Sequence, residues 1–395
     1  KKYYLRLKKP KIASPYSTLE LIEKYLSKRN LVVNLDLTRE LQTRLKKNKF
    51  EVTAVLHGTN EILNIEAGNT IDKIFGMAID IGTTTVVVEL VDLSTGEIIE
   101  TTTANNPQIK FGSDVISRIT FAFTDSANLE KLRNIILKKL NQMINSLLNT
   151  NKIDPEHVYE IVIACNTTMN HFLLGLPVDS LATAPFHSVF TSLSELSAAE
   201  TGFQINRHAK VYIAPNIKSF VGGDISAGLI ASGLAHREGN YLFIDLGTNG
   251  EIVLKIEQKF IATSTAAGPA FEGMNISCGM LAFPGAIYKA EQKKRLKIYT
   301  IDNKQAVGIC GTGLIDLVAS FLDTGEISSK GAIINKHKKI RIADGIYITQ
   351  KDIREMQLAV GAIKSGIRMI VQQFHLNKKD LNGIFIAGAF GNYLN

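Results

Sequence analysis

The residues best suited to chemistry come as a repeated phrase. Residues 78–86 read AIDIGTTTV and residues 244–252 read IDLGTNGEI, so Asp80 and Asp245 lie 165 positions apart, each closing an apolar run and each followed by a Gly-Thr turn. The first turn offers Gly82, Thr83, Thr84 and Thr85; the second offers Gly247, Thr248, Asn249 and Gly250. Glycine permits a tight turn and close approach of backbone N–H groups to an anion, and hydroxyls add donors, so each turn is expected to hold a phosphate. An Asp beside a phosphate repels it unless a hard divalent cation lies between them. Mg²⁺, commonly held by one or two carboxylates together with phosphate oxygens and water, meets that need. Asp80 and Asp245 are therefore the expected metal ligands. One such phrase alone reads equally well as an ordinary hairpin; two at equivalent places in the chain are far more specific. No G-x-x-x-x-G-K-[ST] occurs, which excludes a P-loop protein.

Other residues add to this set. Glu251 follows the second turn directly and is a candidate base or an indirect support for the metal. Gly311, Thr312 and Gly313 open a helix, whose N-terminus favours anions, and rank below the two turns as a phosphate or ribose contact. Near the end, FIAGAFGN runs from an apolar strand into Gly388, Ala389, Phe390 and Gly391, where small residues would let an adenine and ribose lie against the backbone.

The elements around these residues also repeat. GMAIDIGTTTVVVELVDLSTGEIIETTTA reads as a β-meander, NLEKLRNIILKKLNQMINSLLNT as a long amphipathic helix, and HVYEIVIACN as a buried strand. SFVGGDISAGLIASGL is a helix of small residues that must pack closely. YLFIDLGTNGEIVLKIEQKFIATSTAAG then restarts the meander, followed by helices at 311–325 and 351–374 and an expected buried strand GIFIAG. A repeat this long excludes a solenoid and implies two lobes with a cleft between them. Residues 1–73 form a separate small α/β module of strand, capped helix and hairpin. The expected units are thus 1–73, a first lobe at 76–238 and a second at 239–395, in an α/β fold.

Composition narrows the classes. The chain has 395 residues, 45% of them apolar, enough for more than one core and too many for disorder. Neither an apolar run of roughly 18 residues nor a signal-type h-region is present, so a cytoplasmic protein without a membrane partner is expected. The charge of +8 sits in scattered lysine pairs without aromatic interleaving, which argues for solvated helix faces and against a nucleic-acid partner. Cys165, Cys278 and Cys310 lack the paired spacings of zinc or iron-sulfur sites and read as small buried hydrophobes. The eight histidines suggest no metal cluster either.

From about Gly76 onward, the two turns, the acidic helix start VGGDISAGL and AGAFGN resemble the actin, sugar-kinase and Hsp70 superfamily. Within it, NNPQIKFGSDVISRI, ACNTTMNHFLLG, APNIKSFVGGDISAG, TAAGPAFEGMNISCGM, GICGTGLIDLV and IAGAFGN resemble, in order, the ATP-dependent reductive activators of corrinoid proteins, and residues 1–73 resemble that family's linker and middle region. The resemblance implies a duplicated ribonuclease-H-like, actin-like ATPase. It would bind ATP with Mg²⁺ between its lobes and help return Co(II) to Co(I) on a partner corrinoid iron-sulfur protein or methyltransferase corrinoid subunit. Asp224 matches the acid that positions or deprotonates the attacking water in the superfamily; simple N-capping of its helix is the alternative. The resemblance places a [2Fe-2S] cluster on an N-terminal module ahead of this chain, and further residues of the first lobe after it. The corrinoid is expected on the partner, because no D-x-H-x-x-G pattern occurs. A homodimer is compatible with the family. The segment holding Asp114 and Arg118 is expected to shape the first lobe or touch the partner. Competing classes are an activator of 2-hydroxyacyl-CoA dehydratases, for which Cys310 is the single conceivable cluster ligand, a small-molecule kinase, and a nucleotide-switched chaperone or scaffold.

Overall fold

The computed structural model describes residues 1–12, 14–292 and 295–388. The N-terminal unit contains β1 (Lys2–Arg6), α1 (Thr18–Leu26), β2 (Val32–Val33), α2 (Leu35–Lys47), β3 (Glu51–His57) and β4 (Glu61–Ala67). Ser17 and Glu20 close a capping box at the start of α1, each satisfying an amide that the helix leaves free. Helix α2 is additional to the elements expected from sequence; its Leu37, Leu41 and Leu45 recur at helical spacing and bury against a sheet ordered β1-β3-β4-β2. The unit meets the first lobe through a buried hub at Glu66. Its carboxylate accepts from Lys2 Nζ and Tyr159 Oη, both at 2.6 Å, and lies 2.9 Å from His157 Nδ1.

The first lobe is built from β5 (Phe75–Ile81), β6 (Thr85–Asp92), β7 (Ile98–Asn105), α3 (Val115–Thr124), α4 (Ser126–Thr150), β8 (Val158–Cys165), α5 (Thr167–Leu174), α6 (Asp179–Ala182), β9 (Leu196–Ser197), α7 (Ala198–Thr201), β10 (Lys210–Ile213) and α8 (Gly223–Ala231). Its sheet runs β7-β6-β5-β8-β10-β9, antiparallel through the meander and parallel from β5 to β8 and on to β10. Leu132, Ile136, Leu140, Ile144 and Leu147 of α4 line one helix face and bury into the core beneath that sheet.

The second lobe follows with β11 (Tyr241–Leu246), β12 (Gly250–Ile256), β13 (Lys259–Thr265), β14 (Ala286–Gln292), β15 (Leu296–Thr300), β16 (Gly308–Ile309), α9 (Gly311–Asp323), β17 (Lys339–Ala343), β18 (Ile346–Thr349), α10 (Gln350–Gln373) and β19 (Gly383–Ala387). Its main sheet is ordered β13-β12-β11-β19, again an antiparallel meander with one parallel neighbour. The four strands β7-β6-β5-β8 and β13-β12-β11-β19 therefore share order and direction. Register carries the match to the residue: Asp80 lies opposite Ala164 of β8, and Asp245 opposite Ala387 of β19. Both acids are the next-to-last residues of their strands.

The small-residue helix is explained by its neighbours. A Cβ on Gly223 would run into the Ala214 carbonyl, and one on Gly228 would lie 2.6 Å from the Phe243 ring. One expectation is corrected. GIFIAG, expected to be buried, is the edge strand of its sheet, and Ile384 and Ile386 remain 58% and 46% exposed. Its counterpart β8 is buried because β10 continues the first sheet beyond it and α5 covers its end. Among the described residues, no helix is long and apolar enough to cross a membrane.

Candidate functional site

The two Gly-Thr turns open onto one cavity of about 250 Å³. Asp80, Gly82, Thr83, Thr84, Thr85, Asp224, Asp245, Gly247, Thr248, Asn249, Glu251, Gly311, Thr312 and Gly388 all line it. Gly250 and Gly313, also singled out from the sequence, do not. Gly250 packs under Thr265 and Ile363, while a Cβ on Gly313 would strike the Ile287 carbonyl, so both serve close packing. Ala389 and Gly391 lie outside the described residues. Gly388 has a φ of 85°, and a Cβ there would sit 2.6 Å from Asp245 Oδ1; glycine is what lets the last strand turn beside that carboxylate.

The first turn is braced from behind. Asn106 Nδ2 donates to the Gly82 carbonyl at 2.8 Å, Arg118 Nη2 to the Thr83 carbonyl at 2.6 Å, and Asn166 Nδ2 to Thr83 Oγ1 at 3.3 Å. With its carbonyls held from the protein side, the turn keeps its Thr84 hydroxyl toward the cavity. Arg118 is fully buried and donates also to the Gly112 carbonyl and towards Met169 Sδ, all neutral acceptors. Burial pulls its guanidinium down to about 10, against the opposing charges of Asp114 and Glu272. Of the two roles expected for this segment, the buried Arg118 fits the shaping of the first lobe.

The second turn is held differently. Gly247 N donates to the Asn249 carbonyl at 3.0 Å, and the β11–β12 register sets Asp245 opposite Glu251. Thr248 Oγ1 donates to Glu272 Oε2 at 2.8 Å, and that same oxygen accepts from Thr84 Oγ1 at 2.5 Å across the cleft. Glu272, Arg118, Asn106 and Asn166 were not singled out as site residues from sequence. Each reaches the turns from a distant segment; the runs that hold them, NNPQIKFGSDVISRI, ACNTTMNHFLLG and TAAGPAFEG, stand out in the sequence only as family-like blocks, and of the four residues Arg118 alone is named there, for shaping the lobe or touching a partner.

The acids share a crowded space. Burial, then the Asp245 charge, pushes Asp80 up to about 7. Burial, with Asp245 and Asp80, raises Asp224 to about 7, and burial with Glu272 raises Asp245 to about 6. Glu251, the most enclosed, is driven to about 8 by burial and by Asp224 and Asp245, although Ser264 Oγ donates to it at 3.1 Å. Asp80 keeps an exposed surface and lines the cavity, within reach of a small ion, while enough protein surrounds it for burial to raise its proton affinity. Asp224 is not the N-cap of α8, a place taken by Gly222; it lies in the first turn and accepts from the Ile225 amide at 2.8 Å.

The remaining candidates sort as follows. Gly311 and Thr312 begin α9 at the cavity wall, but the Thr312 hydroxyl is committed to the Tyr288 carbonyl at 2.8 Å. Cys165 and Cys310 are buried as expected, whereas Cys278 is half-buried. One histidine cluster escaped the spacing argument: His57, Glu61 and Glu195 bring ligand atoms within 4.8 Å of one another. Lys210 Nζ already lies 2.8 Å from Glu61 and 3.7 Å from Glu195, so the cluster holds its own cation.

Comparison with known proteins places this geometry. Family models described as the RACo linker region, the RACo middle region, and the C-terminal domain of RACo, the ASKHA domain, match residues 1–72, 75–237 and 239–395. The middle region thus falls on the first lobe. The corrinoid activation enzyme RamQ of Eubacterium limosum is 34% identical over 373 residues, covering 87% of this chain and 63% of RamQ. The Co(II) methylated amine-specific corrinoid protein reductase of Methanosarcina barkeri is 28% identical over 352 residues, covering 81% of this chain and 64% of the reductase. A solved structure titled as a reductive activator for corrinoid, iron-sulfur protein superposes with a TM-score of 0.91 at 35% identity, covering 100% of this chain and 67% of its own. The chain therefore spans somewhat under two thirds of the length of these curated relatives.

Proposed function

This chain belongs to the RACo family, and from that premise we propose that it is the ATP-driven part of a reductive activator that helps convert Co(II) to Co(I) on a corrinoid protein. The observation that carries the reading is the convergence of two equivalent strand-ending acids, each with its Gly-Thr turn, on one cavity between two lobes of matching topology.

The cavity's donor set suits Mg²⁺. It offers hard carboxylate and hydroxyl oxygens, and its acids crowd one another enough to raise their proton affinities, a repulsion that a divalent cation relieves. Among the described residues, the cleft acids do not form a group of three or more with ligand atoms within 4.8 Å, which fits an ion held by one or two carboxylates plus phosphate and water. Asp80 and Asp245 would hold the Mg²⁺, which when bound neutralises phosphate charge. The cavity-lining residues of the two turns, 82–85 and 247–249, would grip phosphates from opposite lobes, and Gly388 leaves room at the nucleoside end. Asp224 positions a water and accepts its proton, with an affinity near neutrality as that task requires. Glu251 is the alternative base, but it is more enclosed and already accepts from Ser264.

Coupling to the corrinoid protein needs only that ATP binds one lobe arrangement better than the other, about tenfold for each 1.4 kcal/mol of difference. A partner that docks on the favoured arrangement is remodelled, and loss of a lower axial ligand is one way its Co(II) becomes easier to reduce. Cys310, the one candidate for a bridging cluster in the dehydratase-activator reading, is 4% exposed and lines the cleft.

The test mixes the protein, joined to its electron-transfer module, with a reductant and a Co(II) corrinoid protein, and follows Co(I) absorbance with and without ATP. Co(I) forming only with ATP is expected. Equal formation without ATP overturns the proposal.

A further inference from the structure

The two hydroxyls that face each other across the cleft are held by a carboxylate. Thr84 Oγ1 and Thr248 Oγ1 stand 3.1 Å apart, and both donate to Glu272 Oε2, at 2.5 and 2.8 Å. Glu272 closes the short turn Pro269–Glu272, and the next residue, Gly273, has a φ of 77° in a place where a Cβ would strike the Met280 backbone. The turn is thus constrained to deliver its acid into the cleft. Once there, the carboxylate lies near enough to Asp245 and to the buried Arg118 guanidinium for its charge to act on both. Among the described residues Arg118 hydrogen-bonds neutral groups, and the opposite charges that act on it are those of Asp114 and Glu272. One hydroxyl from each turn and a buried guanidinium behind them are the surroundings that a phosphoryl oxygen would find there.

We propose that Glu272 is a further positioning residue: in the nucleotide-free cleft it occupies the seat of a terminal phosphate, ties the lobes through Thr84 and Thr248, and must be displaced when a nucleotide binds. The inference rests on the reading of the cleft as an ATP site. Two hydroxyls 3.1 Å apart that already share one acceptor cannot also serve a second anion in the same place. The phosphate gains them only as the carboxylate leaves, and two anions left together would repel. Entry of a phosphate therefore carries a displacement cost that a nucleoside without phosphate never meets. Glu272 in this role sets how strongly the cleft separates nucleotides by their phosphates, and its release frees one lobe to move against the other.

The experiment titrates the full chain, as wild type, Glu272→Ala and Glu272→Gln, with Mg-ATP and separately with adenosine by calorimetry. Glu272→Ala is expected to bind Mg-ATP about tenfold more tightly, a change within the usual range of coupling between two binding events, with adenosine affinity unchanged. Glu272→Gln keeps the shape of the side chain and is expected to fall between the other two; it carries the test if the alanine variant does not fold. Faster amide exchange over residues 82–85 and 247–250 in the nucleotide-free variants would support the tie between the lobes. Unchanged or weaker Mg-ATP binding in both variants, with wild type binding normally, overturns the displacement and leaves the nucleotide site standing. A wild type that binds neither ligand overturns the nucleotide reading itself, and this inference with it.

Discussion

Behind the first Gly-Thr turn stand Asn106, Arg118 and Asn166; behind the second, among the described residues, stand the hairpin register, the Thr265 hydroxyl on the Gly250 carbonyl and, from the cleft side, Glu272. The same phrase is thus mounted in two ways. In the first lobe, side-chain donors pin the turn's carbonyls, so a ligand meets donors that are already oriented. In the second lobe, the turn follows its strands, with Thr265 of β13 on the Gly250 carbonyl, and Glu272 of the same lobe accepts from Thr248 and, across the cleft, from Thr84. A two-lobed binder that must close can use such a difference: the more heavily braced jaw sets the geometry, and the other turn is held on its cavity side by an acceptor that a ligand can replace.

The metal-binding acids test whether the jaws are equal partners. Asp80→Asn and Asp245→Asn should each weaken Mg-ATP binding and lower ATPase activity by about a hundredfold or more, as expected when a charged ligand of a buried ion is lost. Both variants should also raise the melting temperature of the nucleotide-free protein by about 2–4 °C, because each removes a charge whose burial is costly. Calorimetry and thermal unfolding on the same samples check both signs. Normal affinity in either variant would mean that its turn does not share the ligand.

Arg118→Met breaks the brace alone. It leaves the Gly112 and Thr83 carbonyls without their donor, and each unsatisfied buried group costs roughly 1–3 kcal/mol, so a loss of about 2–4 kcal/mol in urea unfolding is expected. Nucleotide affinity should fall with it even though Arg118 lies behind the turn. Removal of Glu272, the nearest equivalent on the other side, should instead raise affinity; opposite signs from two charged residues flanking the same hydroxyls are what the fixed-jaw picture demands.

The acids give the comparison a pH axis. In the folded, metal-free protein Asp245, Asp80, Asp224 and Glu251 hold protons up to about 6, 7, 7 and 8, above the range of carboxyls in an unfolded chain. Between those ranges the folded state binds more protons than the unfolded one, so stability falls as pH rises from about 5 to about 8.5. Melting temperatures in EDTA should show that decline. Added Mg²⁺ should flatten it, because the cation takes over the role of the protons. A decline of equal slope with and without Mg²⁺ would remove the ion from these carboxylates.

How much of this was legible beforehand follows the same division. The phrase repeats because both strands must end in an acid and turn at once, and such local demands are written in neighbouring letters; that is why the lobes, the meanders and nearly every lining residue of the turns could be named from sequence. The brace and the tie are contacts between segments far apart in the chain. Arg118 reaches Thr83 over 35 positions and Glu272 reaches Thr84 over 188, and no spacing rule connects them. Local pattern also misjudged GIFIAG. Its apolar run matches that of β8, but burial depends on whether another strand continues the sheet, and beside β19 none does among the described residues.

The smallest effect separates the jaws most cleanly because it avoids charge altogether. Asn106 donates to the Gly82 carbonyl and accepts from the Gln108 amide, and it is 1% exposed. Asn249 occupies the second turn and contributes its backbone carbonyl to Gly247, which alanine would keep. Asn106→Ala therefore removes these two hydrogen bonds and the weaker one to Met169 Sδ from a buried brace and should cost about 1–3 kcal/mol, whereas Asn249→Ala should stay within about 0.5 kcal/mol. Urea midpoints of the two variants measure the gap directly. If the two alanines cost the same, the turns are mounted alike, and closure must arise from the hinge between the lobes rather than from any looseness of the second turn.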